Sequence, residues 1–465
     1  MISLEKLLNL GGNAMLLNFS VENWKSIKER IDFSMQATRE VQHGERLTKI
    51  KKFDMRILPN SILFGANASG KSAFVTALEF MKAFIINWNE RFLIRELKTN
   101  KLNESLNNGK SEFFIQLLLE GNIYEYSFSC TRNEVLQECL TKANSSSEYV
   151  LYRREGPEYF FDESQFSDDI LRRLKIISMG TDKARLFLNN VHEQKLDVFD
   201  LLYNWFRDSL NIIHPYSRFS RVLMFNSEWI QALYNAWLPY LDTGIKRIDK
   251  EEISKSEIGL SDNEIEELKD VLFKSYAEDD DEIDGHFIAN DDFIMIEMNR
   301  SEKPKYYRLV TVHLDEIGNE VYFKMSDESD GTRRLLDLIP AFCAALESDM
   351  QQTFVIDEID RSLYSLLTIR LFESFHQRCG NGINDQIIAT THDFELLTQK
   401  LFRRDEMWFF ERENDQTNLI SFSDFLDTRN DSDIKKSYLN GRMGGLPNLR
   451  FDLIAKEMEE LYQEN

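Results

Sequence analysis

Leu17, Phe19 and Val21 alternate with Asn18, Ser20 and Glu22, and Ile31, Phe33 and Met35 repeat the alternation a few residues later. A period of two marks strands with one buried face, so these runs predict a hairpin turning around Lys25–Glu29. Ser61–Phe64 is a short apolar run that ends abruptly in Gly65. Beyond it, Phe74, Leu78, Met81, Ile85 and Trp88 recur at steps of four and three, which lays one apolar stripe along a helix. Segments 112–119, 123–129, 148–153 and 158–161 are aromatic or β-branched and separated by turn residues, and predict an antiparallel β layer. From about 165 to 275 the pattern is helical, as in Asp197–Leu210 and Asn263–Tyr276. Strands return near 293–298, 306–313 and 320–325. The last third alternates helix 331–347, strand 353–356, helix 362–378, strand 386–390 and helix 393–402, then a hairpin of Met407–Phe410 and Leu419–Phe422.

This order predicts an α/β chain split in sequence: an N-terminal lobe over 15–164, a mostly helical insert over 165–290, and a C-terminal lobe over 291–465 that completes the sheet. The strand pattern begins at Met15, so residues 1–14 read as an optional leader. The 465 residues allow two to four domains, and 42% hydrophobic content with 12% aromatics supplies real cores. No apolar run approaches the roughly 18 residues of a membrane helix, and the start lacks the layout of a signal peptide. The chain therefore reads as cytoplasmic, with no membrane partner. Cys130, Cys139, Cys343 and Cys379 show no CxxC spacing and read as reduced thiols.

Charge sharpens the picture of the insert. The net charge is −23, and residues 251–300 alone hold seventeen acidic against four basic side chains. Such a balance disfavours non-specific DNA binding, whose affinity comes from cations that neutralise phosphates. The acidic stretch reads as a solvated helical insert rather than a partner surface.

Four motifs carry chemistry. Gly65-Ala66-Asn67-Ala68-Ser69-Gly70-Lys71-Ser72 matches G-x-x-x-x-G-K-[ST] in full, between a buried strand and an amphipathic helix. Glycines admit phosphates close to the backbone, successive N–H groups make an anion nest, and the helix adds its positive end. Lys71 is expected to reach the β- and γ-phosphates of ATP, and the Ser72 hydroxyl to bind Mg²⁺. Thr353–Ile356 is a buried strand that ends in Asp357-Glu358. Asp357 is placed to hold Mg²⁺, and Glu358 to polarise the attacking water as general base. Gln386–Thr391 is another such strand and ends in His392, at the edge where ligands gather in open α/β sheets. Ser329-Asp330-Gly331-Thr332 opens a helix just before the Asp-Glu strand and suits either a phosphate clamp or an ordinary cap.

The order of these motifs is that of ABC-type ATPases, and the chain resembles the SMC, RecF and OLD branch of ATPase heads. More narrowly, it is similar to the bacterial AAA family ATPases of abortive-infection and anti-phage operons. The matching stretches are LLNFSVENWKSIKE, SILFGANASGKS, ESDGTRRLLDLIPAF, FVIDEIDRSLYSLL, QIIATTHDFELL and DSDIKKSYLNGRMGGLP. The resemblance implies a P-loop ATPase head that works as a homodimer or higher oligomer. Lys71, Ser72, Asp357, Glu358 and His392 of one copy would face Ser329–Thr332 of the other, His392 would contact the γ-phosphate, and Asp360 would be the D-loop residue that communicates across the dimer. It also implies an effector encoded alongside, of RloB, TOPRIM or HNH nuclease type, and a phage protein or nucleic acid as trigger. A DNA-repair ATPase that clamps DNA ends is the alternative. The glutamine of a Q-loop has two candidates, Gln137 and Gln116. Fainter signals are a calcium-loop echo over Asp280–Asp291, a DxD pair at Asp431 and Asp433, and a glycine-rich turn at Gly441–Gly445.

Overall fold

The computed structural model describes residues 14–216, 228–275, 282–289, 292–299, 304–343, 351–380, 384–413, 415–425 and 436. The leader, the DxD pair and the glycine-rich turn of the tail lie outside the described residues, apart from Ala14. Contacts divide the chain into two compact units. One is made of Met1–His214, Ser348–Asp360 and Ser365–Asn465, the other of Pro215–Glu347 and Arg361–Tyr364.

The first unit begins with β1 (Ala14–Glu22) and β2 (Ile31–Ser34), the hairpin that the alternation predicts. A small hairpin, β3 (Thr48–Ile50) and β4 (Met55–Ile57), leads into β5 (Asn60–Gly65), the loop, and helix α1 (Lys71–Ile86). Then β6 (Ser111–Leu119), β7 (Asn122–Cys130), β8 (Val135–Ala143), β9 (Glu148–Glu155) and β10 (Glu158–Phe161) extend β1 and β2 into an antiparallel sheet of seven, ordered β10-β9-β8-β7-β6-β1-β2.

Helix α1 is buried on more than the one stripe its sequence shows: Ala73, Ala77, Phe80 and Phe84 are interior as well as Phe74, Leu78, Met81 and Ile85. The reason is a second sheet. Phe80 and Phe84 pack on Trp24, Phe113 and Phe128 of the antiparallel layer, whereas Phe74 meets Phe19 and Phe33 on one side and Phe410 on the other. Aromatic pairs at such spacings add about 0.5–1.5 kcal/mol each to simple burial, so the helix that carries Lys71 is held from both layers.

The second sheet joins strands distant in sequence. Its order is β11-β17-β18-β5-β19-β20, with β11 (Leu210–Ile213), β17 (Thr353–Ile356), β18 (Gln386–Thr391), β19 (Met407–Glu413) and β20 (Gln416–Ser421). All but β20 run parallel, so β5, β11, β17 and β18 end at one edge. Between the two sheet contributions lie α2 (Asp168–Met179) and α3 (Phe187–Glu193), which pack into the core of this unit. By contacts the helical stretch after residue 165 thus belongs with the loop as far as His214, because Phe187, Leu188 and Phe199 bury against Tyr152 and its neighbours.

The second unit carries β12 (Arg247–Ile253), β13 (Glu282–Ala289), β14 (Asp292–Asn299), β15 (Lys305–Leu314) and β16 (Glu320–Lys324) in one antiparallel sheet. Helices α4 (Glu228–Trp237), α5 (Asp262–Ser275) and α6 (Asp330–Cys343) accompany it. The insert is therefore less uniformly helical than its pattern predicts. β12 reads Arg-Ile-Asp-Lys-Glu-Glu-Ile, and only Ile248 and Ile253 reach the interior, so charge hides the strand. Residues 282–289 of the calcium-loop echo are strand paired along β14, an extended geometry that cannot wrap a cation; Asp280 and Asp291 lie outside the described residues.

Two further elements differ. Residues 393–402 form only a single 3-10 turn at Phe394–Leu396, capped by Asp393, because Leu396, Leu401 and Phe402 are buried in turns instead of along a helix face. The helix expected from 362 starts at Ser365 as α7 (Ser365–Arg378), after a turn. No described helix is long and apolar enough to cross a membrane.

Candidate active site

The parallel strands deliver their chemistry to one edge because in-register neighbours end together. Ile356 pairs with Ala389, and Thr391 with Phe64, so Asp357 and His392 follow the last paired residues of their strands, and Gly65, paired with Phe410, ends β5 beside them. The loop then turns in a way only glycine permits at two places. A Cβ on Gly65 would lie 2.5 Å from Ser69 Oγ and 2.9 Å from Phe410, and Gly70, at φ +116°, would put one 2.4 Å from Thr417. Ala68 is also left-handed, at φ 63°. Ser69 Oγ is buried with no hydrogen-bond partner among the described residues, the kind of orphaned donor that a phosphate oxygen satisfies.

Lys71 lies inside this loop, with Nζ donating to Gly65 O at 2.6 Å and Ala66 O at 2.9 Å, and 3.3 Å from His392 Nδ1. Burial pushes its ammonium down to about 8 against the opposing pull of Asp357, Asp360 and Glu358. Asp357 is buried and accepts from Thr390 Oγ1 at 2.6 Å; the same hydroxyl accepts from Glu358 N at 2.8 Å. Glu358 sits at φ 47°, a left-handed conformation that side chains adopt at a cost, and its Oε1 is 3.8 Å from His392 Nε2. Asp360 accepts from Thr391 Oγ1 at 2.7 Å and His392 N at 3.3 Å, so within the chain it anchors the end of β18. The structure thus brings together Gly65–Ser72, Asp357, Glu358, Asp360 and His392.

A cavity of about 490 Å³ opens over the loop, lined by Asn67–Ala73, Glu358, His392, Lys25, Ser26 and Arg412. The last three come from hairpins that sequence reasoning did not connect to the loop. Gln416 Oε1 accepts from Lys28 N at 2.9 Å, and Thr417 Oγ1 donates to Ser26 Oγ at 2.9 Å, which ties the tip of the β1–β2 hairpin to β20. Lys25, at φ 51°, keeps an exposed side chain, but desolvation by the surrounding protein lowers its ammonium pKa, with Glu79 and Asp357 pulling the other way.

Gln116 and Gln137 do not line this cavity; they stand on β6 and β8 of the antiparallel sheet, where Gln116 bonds Asn18 and Glu125. The strand end beside Asp357 carries His214 instead. Its Nε2 is 2.9 Å from Glu79 Oε1 on α1, which raises the imidazole pKa, and Asp357 adds to the rise. A signal existed: Asn211-Ile212-Ile213-His214 repeats the apolar-strand-then-histidine pattern of residues 387–392.

Ser329–Thr332 belong to the second unit. Ser329 Oγ accepts from Thr332 N at 3.1 Å and caps α6, while Asp330 pairs with Arg333 at 2.7 Å on the surface. For a divalent cation the first unit offers the hard oxygens of Ser72, exposed, and Asp357 beside the loop, a donor set that fits Mg²⁺, which keeps most of its waters. Among the described residues no cluster of three or more His, Cys, Asp or Glu side chains could hold a metal by itself.

Residues 61–398 match the sequence profile of a family described as "AAA domain, putative AbiEii toxin, Type IV TA system". The chain belongs to this family. The match starts within β5 and ends shortly after β18, so it spans the loop, Asp357-Glu358 and His392. This AAA-domain protein has the α/β fold of a P-loop ATPase. Among solved structures, an SMC head domain from Thermotoga maritima aligns at 11% identity over 87% of this chain and 98% of that one, with a TM-score of 0.35. An SMC head bound to the C-terminal winged-helix domain of ScpA aligns at 11% identity over 87% and 97%, with a TM-score of 0.38. No curated protein matches the chain.

Proposed function

We propose that this AAA-domain protein binds and hydrolyses ATP and uses the cycle as a switch in an abortive-infection type of antiviral defence. The observation that carries the enzymatic part is the arrival of the loop, Asp357, Glu358 and His392 at one sheet edge, with Lys71 inside their field. In this reading, the N–H groups of Asn67–Ser72 and the ammonium of Lys71 hold the β- and γ-phosphates. Glu358 takes the proton of the attacking water, and His392 orients that water against the γ-phosphate. Their 3.8 Å separation is one that a bridging water spans. Thr390 holds the Asp357 carboxylate and the Glu358 backbone N–H from behind. Mg²⁺, held by Ser72 and Asp357, would offset the charge that develops on the phosphoryl oxygens.

The second part of the reading is assembly. Ser329–Thr332 of a second copy would close each site, making a homodimer the working unit and a larger homo-oligomer its extension. ATP would favour the closed state only through its differential affinity for it. The family's description names a toxin of a toxin–antitoxin system, which supports a role in growth arrest. The toxic step itself is assigned to a separate nuclease-type effector, triggered through this ATPase by a phage protein or nucleic acid.

The test separates these parts. Lys71→Ala is expected to abolish ATP binding, and Glu358→Gln to retain binding while turnover falls at least about a hundredfold. Turnover by Glu358→Gln at the wild-type rate removes the general base from this reading. Growth arrest by the chain expressed alone, independent of Lys71, would place the toxicity here and not in an effector.

A further inference from the structure

The chain passes from one unit to the other inside a single turn. Asp357–Asp360 belong to the unit of the loop, and Arg361–Tyr364 to the unit of α6. Both ends of this turn are held in left-handed backbone: Glu358 at φ 47° and Ser362 at φ 58°. Each such residue costs on the order of 1–2 kcal/mol, so each end needs an outside constraint. At the first end Thr390 supplies it, through its hydroxyl to Glu358 N and its carbonyl to Ile359 N at 3.0 Å.

The second end is constrained by α6 and its surroundings. The Ser362 carbonyl oxygen lies 2.7 Å from where a Cβ on Gly331 would stand, so the backbone of the turn rests directly on the first turn of α6. The Arg361 guanidinium stacks 3.7 Å over the ring of Tyr216. Gly331 has no left-handed φ to explain it. Its lack of a side chain is explained by the Ser362 carbonyl, within the same chain.

We propose that Arg361–Tyr364 is a strap, seated on Gly331 and Tyr216, that positions Glu358. Any displacement of the Ser329–Gly331 segment then reaches Glu358 through the three residues that separate it from Ser362. Gly331, Arg361 and Tyr216 are positioning residues in this scheme. The catalytic consequence rests on Glu358 being the general base, but the strap itself does not.

Hydrogen exchange on the full, nucleotide-free chain tests the strap. Gly331→Ala forces the carbonyl to move, and overpacking of this kind predicts exchange about ten- to a hundredfold faster over residues 357–364. Tyr216→Ala adds no atom and removes an exposed ring, and is expected to speed the same segment about two- to fivefold. Peptides from α1 and β5 should be unchanged. Wild-type exchange over 357–364 in both variants overturns the proposal. A turnover measurement then separates action within the chain from action on a partner's site. Gly331→Ala protein mixed with Lys71→Ala protein contains sites that join an intact loop to an intact partner glycine. Wild type mixed with Lys71→Ala calibrates such half-competent pairs. A strap within the chain predicts no recovery, and recovery to the calibrated level refutes it. Absence of ATP turnover by the wild type would count against the enzymatic reading alone, because the exchange difference would persist.

Discussion

Thr390→Val is the sharpest probe of how the carboxylates are held. Thr390 is fully buried in the middle of the parallel sheet, and its one hydroxyl serves Asp357 Oδ1 at 2.6 Å and Glu358 N at 2.8 Å. Valine keeps the volume and the β propensity, so the backbone of β18 has no reason to move. It deprives a charged acceptor of one donor, worth about 1.5–3 kcal/mol, and a neutral N–H of one acceptor, worth about 0.5–1.5 kcal/mol. The expected loss of stability is therefore about 2–4.5 kcal/mol. Thr390→Ser keeps the hydroxyl and loses one buried methyl, a cost of about 1 kcal/mol. Turnover should separate the pair further. Glu358 at φ 47° is anchored by that hydroxyl, and a shift of about 1 Å in a reacting group costs about a hundredfold in rate. Urea unfolding and steady-state phosphate release on both variants give the two readouts. The expectation is a kcat about a hundredfold lower for valine with nucleotide affinity within a few-fold, and a kcat within about threefold of wild type for serine. Valine turning over like the wild type, or serine as slow as valine, would refute the reasoning.

Glu138 is wholly buried and accepts from Tyr126 Oη, Tyr152 Oη, Phe187 N and Leu188 N at 2.7–3.0 Å, so Glu138→Gln turns an amide donor toward donors and should cost about 3–5 kcal/mol in urea unfolding. Glu406 is buried beside Asp405, Arg403 and Arg46; burial raises its carboxyl to about 8, and its Oε1 has no partner among the described residues, as suits a protonated acid. Its folded pKa exceeds the unfolded one, so this stabilisation is complete below about 4.5 and is lost as pH rises through about 8. The stability of wild type relative to Glu406→Gln should accordingly fall between those values, by a few kcal/mol at most, and a difference that is flat with pH would contradict the assignment. Gly70→Ala places a Cβ 2.4 Å from Thr417 at a φ of +116° and should abolish ATP binding, whereas Gly121→Ala, at φ +70° with open space around it, should cost only about 1 kcal/mol. Equal behaviour of the two glycine variants in a nucleotide-binding titration and a melt would count against the steric account.

The features legible in the sequence were those whose physics is local. The alternation in Leu17–Val21 and Ile31–Met35 forms the predicted hairpin, and the loop lies between strand and helix as its motif requires. The buried runs that end in Asp357 and His392 become parallel neighbours. Each of these rests on residues within a few positions of one another. Where a charge faces inward or a strand is solvated, the local pattern misleads. β8 escaped because Glu138 occupies an interior position that only two tyrosines and two backbone amides on other elements make tolerable. β12 escaped because five of its seven residues are charged.

The tertiary structure alone decided what surrounds the loop. Lys25, Ser26 and Arg412 reach the cavity because Gln416 and Thr417 tie two hairpins together across nearly four hundred residues. His214 comes beside Asp357 because β11 pairs with β17, a partner far along the chain. In the sequence Gly331 belongs to a segment that suits a phosphate clamp or an ordinary cap, and neither reading shows the carbonyl of Ser362 against it. The sequence determined which chemistry this protein carries, since motifs and periodicity are short-range. Which groups share a cavity, and which backbone leans on which, depends on long-range packing, and that became visible only once the chain was folded.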